Sequence, residues 1–530
     1  MKKHLFLISL FVISTTMYSQ IAEEDNYFPV VPNSPNVSSL SKYEEVAVSK
    51  NTGLPNISVP IHSISLDGIT IPVYLNYHAG GIRVNEVAPW TGQSWNLIAG
   101  GSITRTVRHL ADDSPHGYIF TQITTEMIYD ACVGCSYPCT DDYDCVEYTN
   151  TRIMNNTLDF EADIFSYNAP GISGKFMFNQ IRDVVATGEI KSFPMSHNKI
   201  IPTFGSTNKI TSWKIIDELG NAYFFEVGDI LENTDTHTIE SAGNLPQDNP
   251  MEPYTPSYTQ TWNLKRIETH KGNKIHFQYA QFQNGYHECS FSGQSKIIEV
   301  GQPNNLKTTY IETEGTTRYL SKIYGDFGSI DISIDSNPRE DYPDGNALKD
   351  IIIKNSANEQ VKKYVFNYFY SYADEYINGA IYGCGGAING AILYDPSNPN
   401  SYIPYKKRMF LEEVEVLGEN NALDYTYSFD YDNEDLLPHR NSYAQDFWGF
   451  YNGKTSNSTL LLDISNPYAN TPNRQVDETY GKLGLLKRMY HPEGGYTDFE
   501  YESNKAVVQN GTTLGYRIVP SEEKTLEFNS

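Results

Sequence analysis

From residue 57 onward, apolar and polar positions alternate with a period of two. Ile57, Val59 and Ile61 are separated by Ser58 and Pro60, and beyond Asp67-Gly68 the residues Ile69, Ile71, Val73, Leu75 and Tyr77 alternate again. Period two sends every second side chain to one face of a strand, so both runs read as half-buried strands. An Asp-Gly pair between two such runs predicts a tight hairpin, because this turn needs positive φ at both central residues. Gly80-Gly81, a short strand at Ile82 to Val84, and a block with Trp90, Trp95 and Gly100-Gly101 follow. Two Trp among glycines predict aromatic plates closed over tightly turning backbone, sealing one end of a large β-structure.

A second pattern begins near residue 211. Leu264-Lys-Arg-Ile267, Gly272 and Phe277-Gln-Tyr279 have the same spacing as Leu486-Lys-Arg-Met489, Gly494 and Phe499-Glu-Tyr501. Leu320, Ile323 and Gly328 match the first half of this unit, and Ile215, Gly220 and Phe225 the second. Leu348 and Ile351 with Phe366 and Tyr368 match around a longer turn, as do Leu411 and Val414 with Phe429 and Tyr431. Each unit reads as a strand, a Gly or Asn turn, and a strand ending in aromatic-x-Tyr. A lone hairpin cannot bury its own face, so such units stack on neighbours. Strands are also expected at Leu158 to Phe160, Phe165 to Tyr167 and Gly174 to Phe178. The segments 232–260, 281–318, 336–347, 371–405 and 432–478 are rich in Asn, Pro, Gly, Ser and Tyr and read as irregular. No run of twelve residues carries a convincing 3.6 period. The expected fold is all-β: repeated antiparallel hairpins winding into a large curved sheet or partial shell, with long irregular loops.

Composition changes this picture in three ways. The 40 Tyr and a 13% aromatic content suit pleated, half-buried surfaces. A mean hydropathy of −0.46 over 530 residues fits a thin shell better than a deep core. The net charge of −26 argues against nucleic acid and anionic membranes, which bind basic patches. At the N-terminus, Lys2-Lys3 precedes an apolar run from Leu5 to Val12 and then small and polar residues, the form of an export signal cut near Ser19 or Gln20. That run is too short to span a bilayer, and no transmembrane segment is expected in the mature chain.

Candidate chemistry is sparse. Cys132, Cys135, Cys139 and Cys145 cluster, while Cys289 and Cys384 stand apart. In an exported chain an even count favours disulfides, with a compact zinc site or free thiols as alternatives. Asp141, Asp142 and Asp144, and again Asp430, Asp432 and Glu434, offer hard oxygen ligands; calcium is the one cofactor considered, against solvated surface charge. His109 and His116, in a loop with Asp112 and Asp113, have no partner spacing of a known site and read as structural or solvated. The stretch Asp446 to Gly453 carries Phe447 and Trp448, read with Trp90 and Trp95 as a plug packed on the sheet, or else as a sugar or peptide platform. No GxSxG, HExxH, Walker A or dinucleotide motif occurs, so no catalytic or cofactor-binding residue is assigned and the chain is expected not to be an enzyme.

The motifs TGLPNISVPIHSI, LNYHAGGIRV, PWTGQSWNLIAGGSITR and QDFWGFYNGK resemble the N-terminal region of RHS/YD-repeat proteins of Bacteroidota, over roughly residues 33 to 518. The resemblance implies a β-shell, the repeat being a degenerate YD repeat, in a family related to polymorphic toxins whose shells carry effector or adhesin modules. On that reading the chain divides into a signal peptide at 1–20, a polar leader at 21–33, an N-terminal β block at 34–108, a Cys-rich inserted loop at 109–155, degenerate repeats at 156–503, and a polar tail at 504–530 that resembles a truncated next repeat. The expected role is an exported noncatalytic shell or cell-surface scaffold, a shortened or partial member of the family. The cell surface or medium is the expected location, with the periplasm left open. Expected partners are surface or secretion-machinery proteins or an effector module. The alternative is a secreted carbohydrate-binding or carbohydrate-active protein.

Overall fold

The computed structural model describes residues 53–120, 159, 161–179, 190–240, 257–282, 285–296, 306–373, 403–461, 472–503 and 518–524. The signal peptide, the polar leader and most of the Cys-rich segment lie outside them. The described residues are nearly all β, built as antiparallel hairpins; the two α-helices among them, Ile403–Lys406 and Glu478–Gly481, are single turns.

The Asp67-Gly68 hairpin forms as its residues require. Strands Ile57–Leu66 and Ile69–Tyr77 pair around Asp67 at φ 50° and Gly68 at φ 86°. Trp95–Ile98 adds a third strand beside Ile69–Tyr77. Ile82 to Val84, expected as a strand, instead makes one isolated bridge, Arg83 to Phe450, because the backbone on either side turns.

The repeats form one continuous antiparallel ladder: Lys199–Phe204, Ile210–Ile216, Ala222–Val227, Thr261–Glu268, Lys274–Gln281, Arg318–Gly325, Gly328–Pro338, Asn346–Lys354, Gln360–Tyr372, Lys407–Leu417, Leu423–Tyr431, Leu486–Tyr490, Tyr496–Ser503 and Ile518–Lys524. The ladder forks at Thr261–Glu268. Its first residues pair with Ser102–Thr106 and its last with Lys274–Gln281. Ser102–Thr106 continues into Ile164–Ala169, Ile172–Phe178 and Ile190–Phe193. The pairings do not close into a barrel.

Two expectations needed correction. The strand expected at Leu158 to Phe160 fails at Asp159, the one of its residues described, which lies in irregular backbone; the separate strand expected at Phe165 to Tyr167 runs Ile164–Ala169. The segments 232–260 and 281–318, expected as irregular, carry much of a separate four-stranded sheet: Tyr258–Thr259, Ile230–Glu240, Leu306–Thr316 and Tyr286–Lys296. Their polarity hid them, although ILENTDTHTIE and LKTTYIETEGT are rich in Thr and Ile, which favour extended backbone.

The recurrent Leu and Tyr of the repeat have a shared physical role. A register shift falls immediately before the tyrosine in four units, between Gln278 and Tyr279, Asn367 and Tyr368, Asp430 and Tyr431, and Glu500 and Tyr501. A bulge re-aims the side chain that follows it. In three of these units the tyrosine hydroxyl turns back to its own leading leucine: Tyr368 donates to the Leu348 carbonyl (2.8 Å), Tyr431 to Leu411 (2.7 Å) and Tyr501 to Leu486 (2.7 Å). The leading leucines and the aromatic residues two before each tyrosine (Phe277, Phe366, Phe429 and Phe499) are buried.

Candidate functional site

Two arrangements concentrate polar chemistry where solvent is excluded. One is the seam between the N-terminal block and the repeats; the other is an aspartate corner beside it.

The seam uses the backbone of the leading leucines. Leu264 N–H donates to the Gly101 carbonyl, Leu348 N–H to the Trp90 carbonyl and Leu486 N–H to the Tyr77 hydroxyl, each at 2.8 Å. At the fourth unit, Gln93 N–H donates to the Met409 carbonyl at 2.8 Å. Gly92 has φ 95° and lies so close that a Cβ there would stand 2.8 Å from the Leu411 nitrogen, so only glycine fits. Trp95 is fully buried in this seam. Its ring lies 4.7 Å from Phe429 and 5.1 Å from Tyr77, and its Nε1 donates to the Tyr431 hydroxyl at 2.9 Å. Tyr364 donates to the Ile61 carbonyl, and Asp67 in the hairpin turn accepts from Thr269 and Asn273. One short block is thereby fastened to four of the repeat units.

The aspartate corner joins residues 105–119 to 159–165. Arg105, Asp112, Asp113, Asp159 and Asp163 are all buried. The Arg105 guanidinium lies 5.1 Å from both the Phe165 and Trp262 ring centroids, donates to Asp113 at 2.8 Å and stands 3.5 Å from Asp163. Asp113 also accepts from the Ile210 amide. Asp112 and Asp163 exchange bonds: each backbone N–H donates to the other's carboxylate, at 2.8 and 2.9 Å. Asp159 accepts from the Glu161 amide and lies 3.6 Å from His109 Nδ1. One oxygen of Asp112 and one of Asp159 have no hydrogen-bond partner.

These carboxylates differ sharply in proton affinity. Burial, reinforced by the Asp163 charge, pushes Asp112 far above the ordinary carboxylate range. Burial raises Asp163 to about 6 against the pull of Arg105. Burial also raises Asp159. For Asp113, burial pushes upward but the Arg105 charge and hydrogen bonds outweigh it and hold the group below its usual value. The corner thus keeps a proton near neutrality. Its carboxylates are shielded from solvent.

Pattern reading treated Asp112 and Asp113 as loop residues and missed Arg105, Asp159 and Asp163. The available signal was an Arg and four Asp flanking apolar strands. The pairing itself spans some fifty residues and is not visible in any local window.

The other singled-out residues distribute as follows. Trp95 is buried and Trp90 half-buried. Phe447 and Trp448 are not packed on the sheet, being 59% and 56% exposed, which corrects the plug expectation for that pair. The cause is Asp446, whose carboxylate accepts from the Trp448 and Phe450 amides (2.8 and 3.0 Å) and folds the turn so that both rings project outward. The Arg474 guanidinium covers Phe447 at 4.8 Å. Asp430 and Glu434 come together in a surface cavity of about 670 Å³, with Glu412, Glu413, Lys487 and Arg488. Burial raises Glu434, and Asp430 accepts from the Tyr490 hydroxyl. Asp432 accepts from Asn433 instead. Among the described residues no group of three His, Cys, Asp or Glu is arranged to hold a metal ion. Asp141, Asp142, Asp144, Cys132, Cys135, Cys139, Cys145 and Cys384 lie outside the described residues. Cys289 lies in Tyr286–Lys296, its backbone paired with Glu312. Among the described residues no helix is long and apolar enough to cross a membrane.

No family model and no curated protein matches the chain. Solved structures give a loose likeness. The crystal structure of TcdB2-TccC3 aligns with a TM-score of 0.35 at 12% identity, covering 92% of this chain and 20% of that one. A Photorhabdus luminescens Tc holotoxin pore with mutated TccC3 gives 0.35 at 11%, covering 92% and 19%. TcdB2-TccC3-Cdc42 gives 0.28 at 12%, covering 86% and 16%. The chain spans about a fifth or less of the length of these chains, and likeness at this level assigns no function.

Proposed function

We propose that the protein is an exported, noncatalytic β-scaffold of RHS-like build that presents or carries partner modules at the cell surface or in the medium. The observation that carries this reading is the seam. One N-terminal block is hydrogen-bonded to four of the repeat units, at the leading leucine in three and at Met409, two residues before Leu411, in the fourth. Such a device spends the conserved features of the repeat on rigidity, and it leaves the loops between units for contacts. The enzyme alternative would need perturbed carboxylates in an open cleft. The most perturbed ones, Asp112 and Asp163, are instead closed off inside the aspartate corner.

The test is to produce the full chain in a Gram-negative host, fractionate the cells, treat intact cells with external protease and sequence the mature N-terminus. The expected result is a new N-terminus near residue 20, with the protein in the medium or removed by protease. The purified protein is expected to release no reducing ends from glycan polymers. Retention in the cytoplasm with Met1 intact would overturn export, and steady release of reducing ends would overturn the noncatalytic reading.

A further inference from the structure

The repeat that begins at Leu264 departs from its siblings. Tyr279 holds the position of Tyr368, Tyr431 and Tyr501 and follows the same kind of register shift. Its hydroxyl makes no hydrogen bond to the protein among the described residues, and its half-buried ring lies beside Gly100, Phe277 and Leu320. It faces Gly100, where φ is 80° and a Cβ would come within 3.1 Å of the hydroxyl. The space in front of this hydroxyl is not taken up by a bond to the leading leucine, as it is in the other three units.

That space belongs to a cavity of about 560 Å³, inside the range of about 300–1,000 Å³ usual for small-molecule sites. Its wall carries a cluster of three aromatic rings beside Tyr279 and Tyr342. Trp90 lies 5.8 Å from Tyr319 and 6.3 Å from Phe282, and Phe282 lies 4.9 Å from Tyr319. All three are half-buried and so retain free ring surface. Asn263 also lines the cavity, and its Nδ2 is buried without a partner. Departures from a local rule concentrate at functional sites.

We propose that this cavity binds a neutral saccharide. The chemistry of the wall selects among ligand classes. A purely apolar ligand would leave the Tyr279 hydroxyl unsatisfied. An anionic ligand finds Arg339 already bidentate on the Asp341 carboxylate (3.0 and 2.7 Å). The Glu288 carboxylate at the wall also disfavours an anion. What remains is a ligand with hydroxyl groups on its edge and an apolar face, the form of a pyranose ring. Its C–H face would lie on the Trp90–Tyr319 surface, and a hydroxyl would meet Tyr279.

The test uses the purified full chain and a panel of neutral oligosaccharides of two to six hexose units, read by saturation-transfer NMR and titration. At least one member is expected to bind. Tyr319→Ala is expected to weaken it tenfold or more, and Tyr279→Phe about fivefold, with an unchanged unfolding midpoint because that hydroxyl bonds nothing in the protein. Tyr368→Phe, which removes the corresponding hydroxyl from a unit remote from the cavity, is expected to bind like the parent. Absence of saturation transfer from every member, or parental affinity in both cavity variants, would overturn the proposal. Neither outcome bears on whether the chain is an exported scaffold.

Discussion

The hairpin at 57–77 and the aspartate corner at 105–163 lie in one N-terminal stretch of chain and are held by opposite means. The hairpin places alternate residues, Ile57 to Tyr77, into an apolar seam where Trp95 closes against Phe429. The corner buries four carboxylates around one guanidinium. Apolar contact is non-directional and adds up over many small gains, so it tolerates adjustment. Charge burial works only if each group meets its partner, because an unpaired buried charge is expensive. The first region should therefore fail in proportion to volume removed, and the second according to which charge is left alone.

The largest effect is expected at the seam. Trp95→Ala removes the ring contacts to Tyr77 and Phe429 and the bond to Tyr431. It should cost about 3–5 kcal/mol, read as a lower urea midpoint. A change below about 1 kcal/mol, far under that range, would mean that the N-terminal block is not wedged against the repeats.

In the corner, Arg105→Met keeps much of the volume between Phe165 and Trp262 but leaves Asp113 unpaired. The expected cost is about 3 kcal/mol, the lower end for breaking a buried pair. Adding Asp113→Asn should return part of that loss, because the orphaned charge goes with it. If the second substitution adds its own penalty instead, the corner is held by shape rather than by charge.

These regions also differ in how far they could be read from the chain. Asp67-Gly68 and the identical spacing of Leu264 to Tyr279 and Leu486 to Tyr501 declared hairpins that exist where expected. The signal is local: a turn residue with positive φ and a period of two. The corner was illegible because a hydrophobic pattern assigns every Asp to solvent, and the burial of Asp112 depends on Asp163, far away in sequence. Phe447 and Trp448 failed in the reverse sense. Their size implied burial, but the Asp446 turn points them outward. The sheet built from Ile230–Glu240 and Leu306–Thr316 was missed because Thr and Glu on both faces erase the alternation.

A smaller effect sharpens the contrast within the repeats. Tyr368→Phe leaves the Leu348 carbonyl without its hydroxyl donor and should cost about 1 kcal/mol. Tyr279→Phe should cost close to nothing by the same measurement, since its hydroxyl makes no such bond. Equal losses in the two variants would show that the tyrosines act through packing alone.

The smallest shift is a pH slope confined to the corner. Burial raises Asp163 to about 6 in the folded chain and pushes Asp112 well above the ordinary carboxylate value. For an acid whose folded value is raised, the native state holds more protons than the unfolded chain between the two values. Stability from these groups is therefore full at low pH and is lost as pH rises from about 4 through 6 and beyond. Asp113 has the opposite sign, its contribution being lost as pH falls below the ordinary carboxylate value. The charged groups facing Asp112 and Asp163 are Arg105, Asp159 and, through Asp159, His109, with the Tyr118 and Tyr258 hydroxyls nearby. Asp112→Asn reproduces the protonated form and keeps an oxygen to accept from the Asp163 amide. Melting curves between pH 5 and 8 should then show a flatter decline for this variant than for the parent, with the gap widest at pH 8. Parallel curves would place the proton elsewhere and leave the corner held by Arg105 alone.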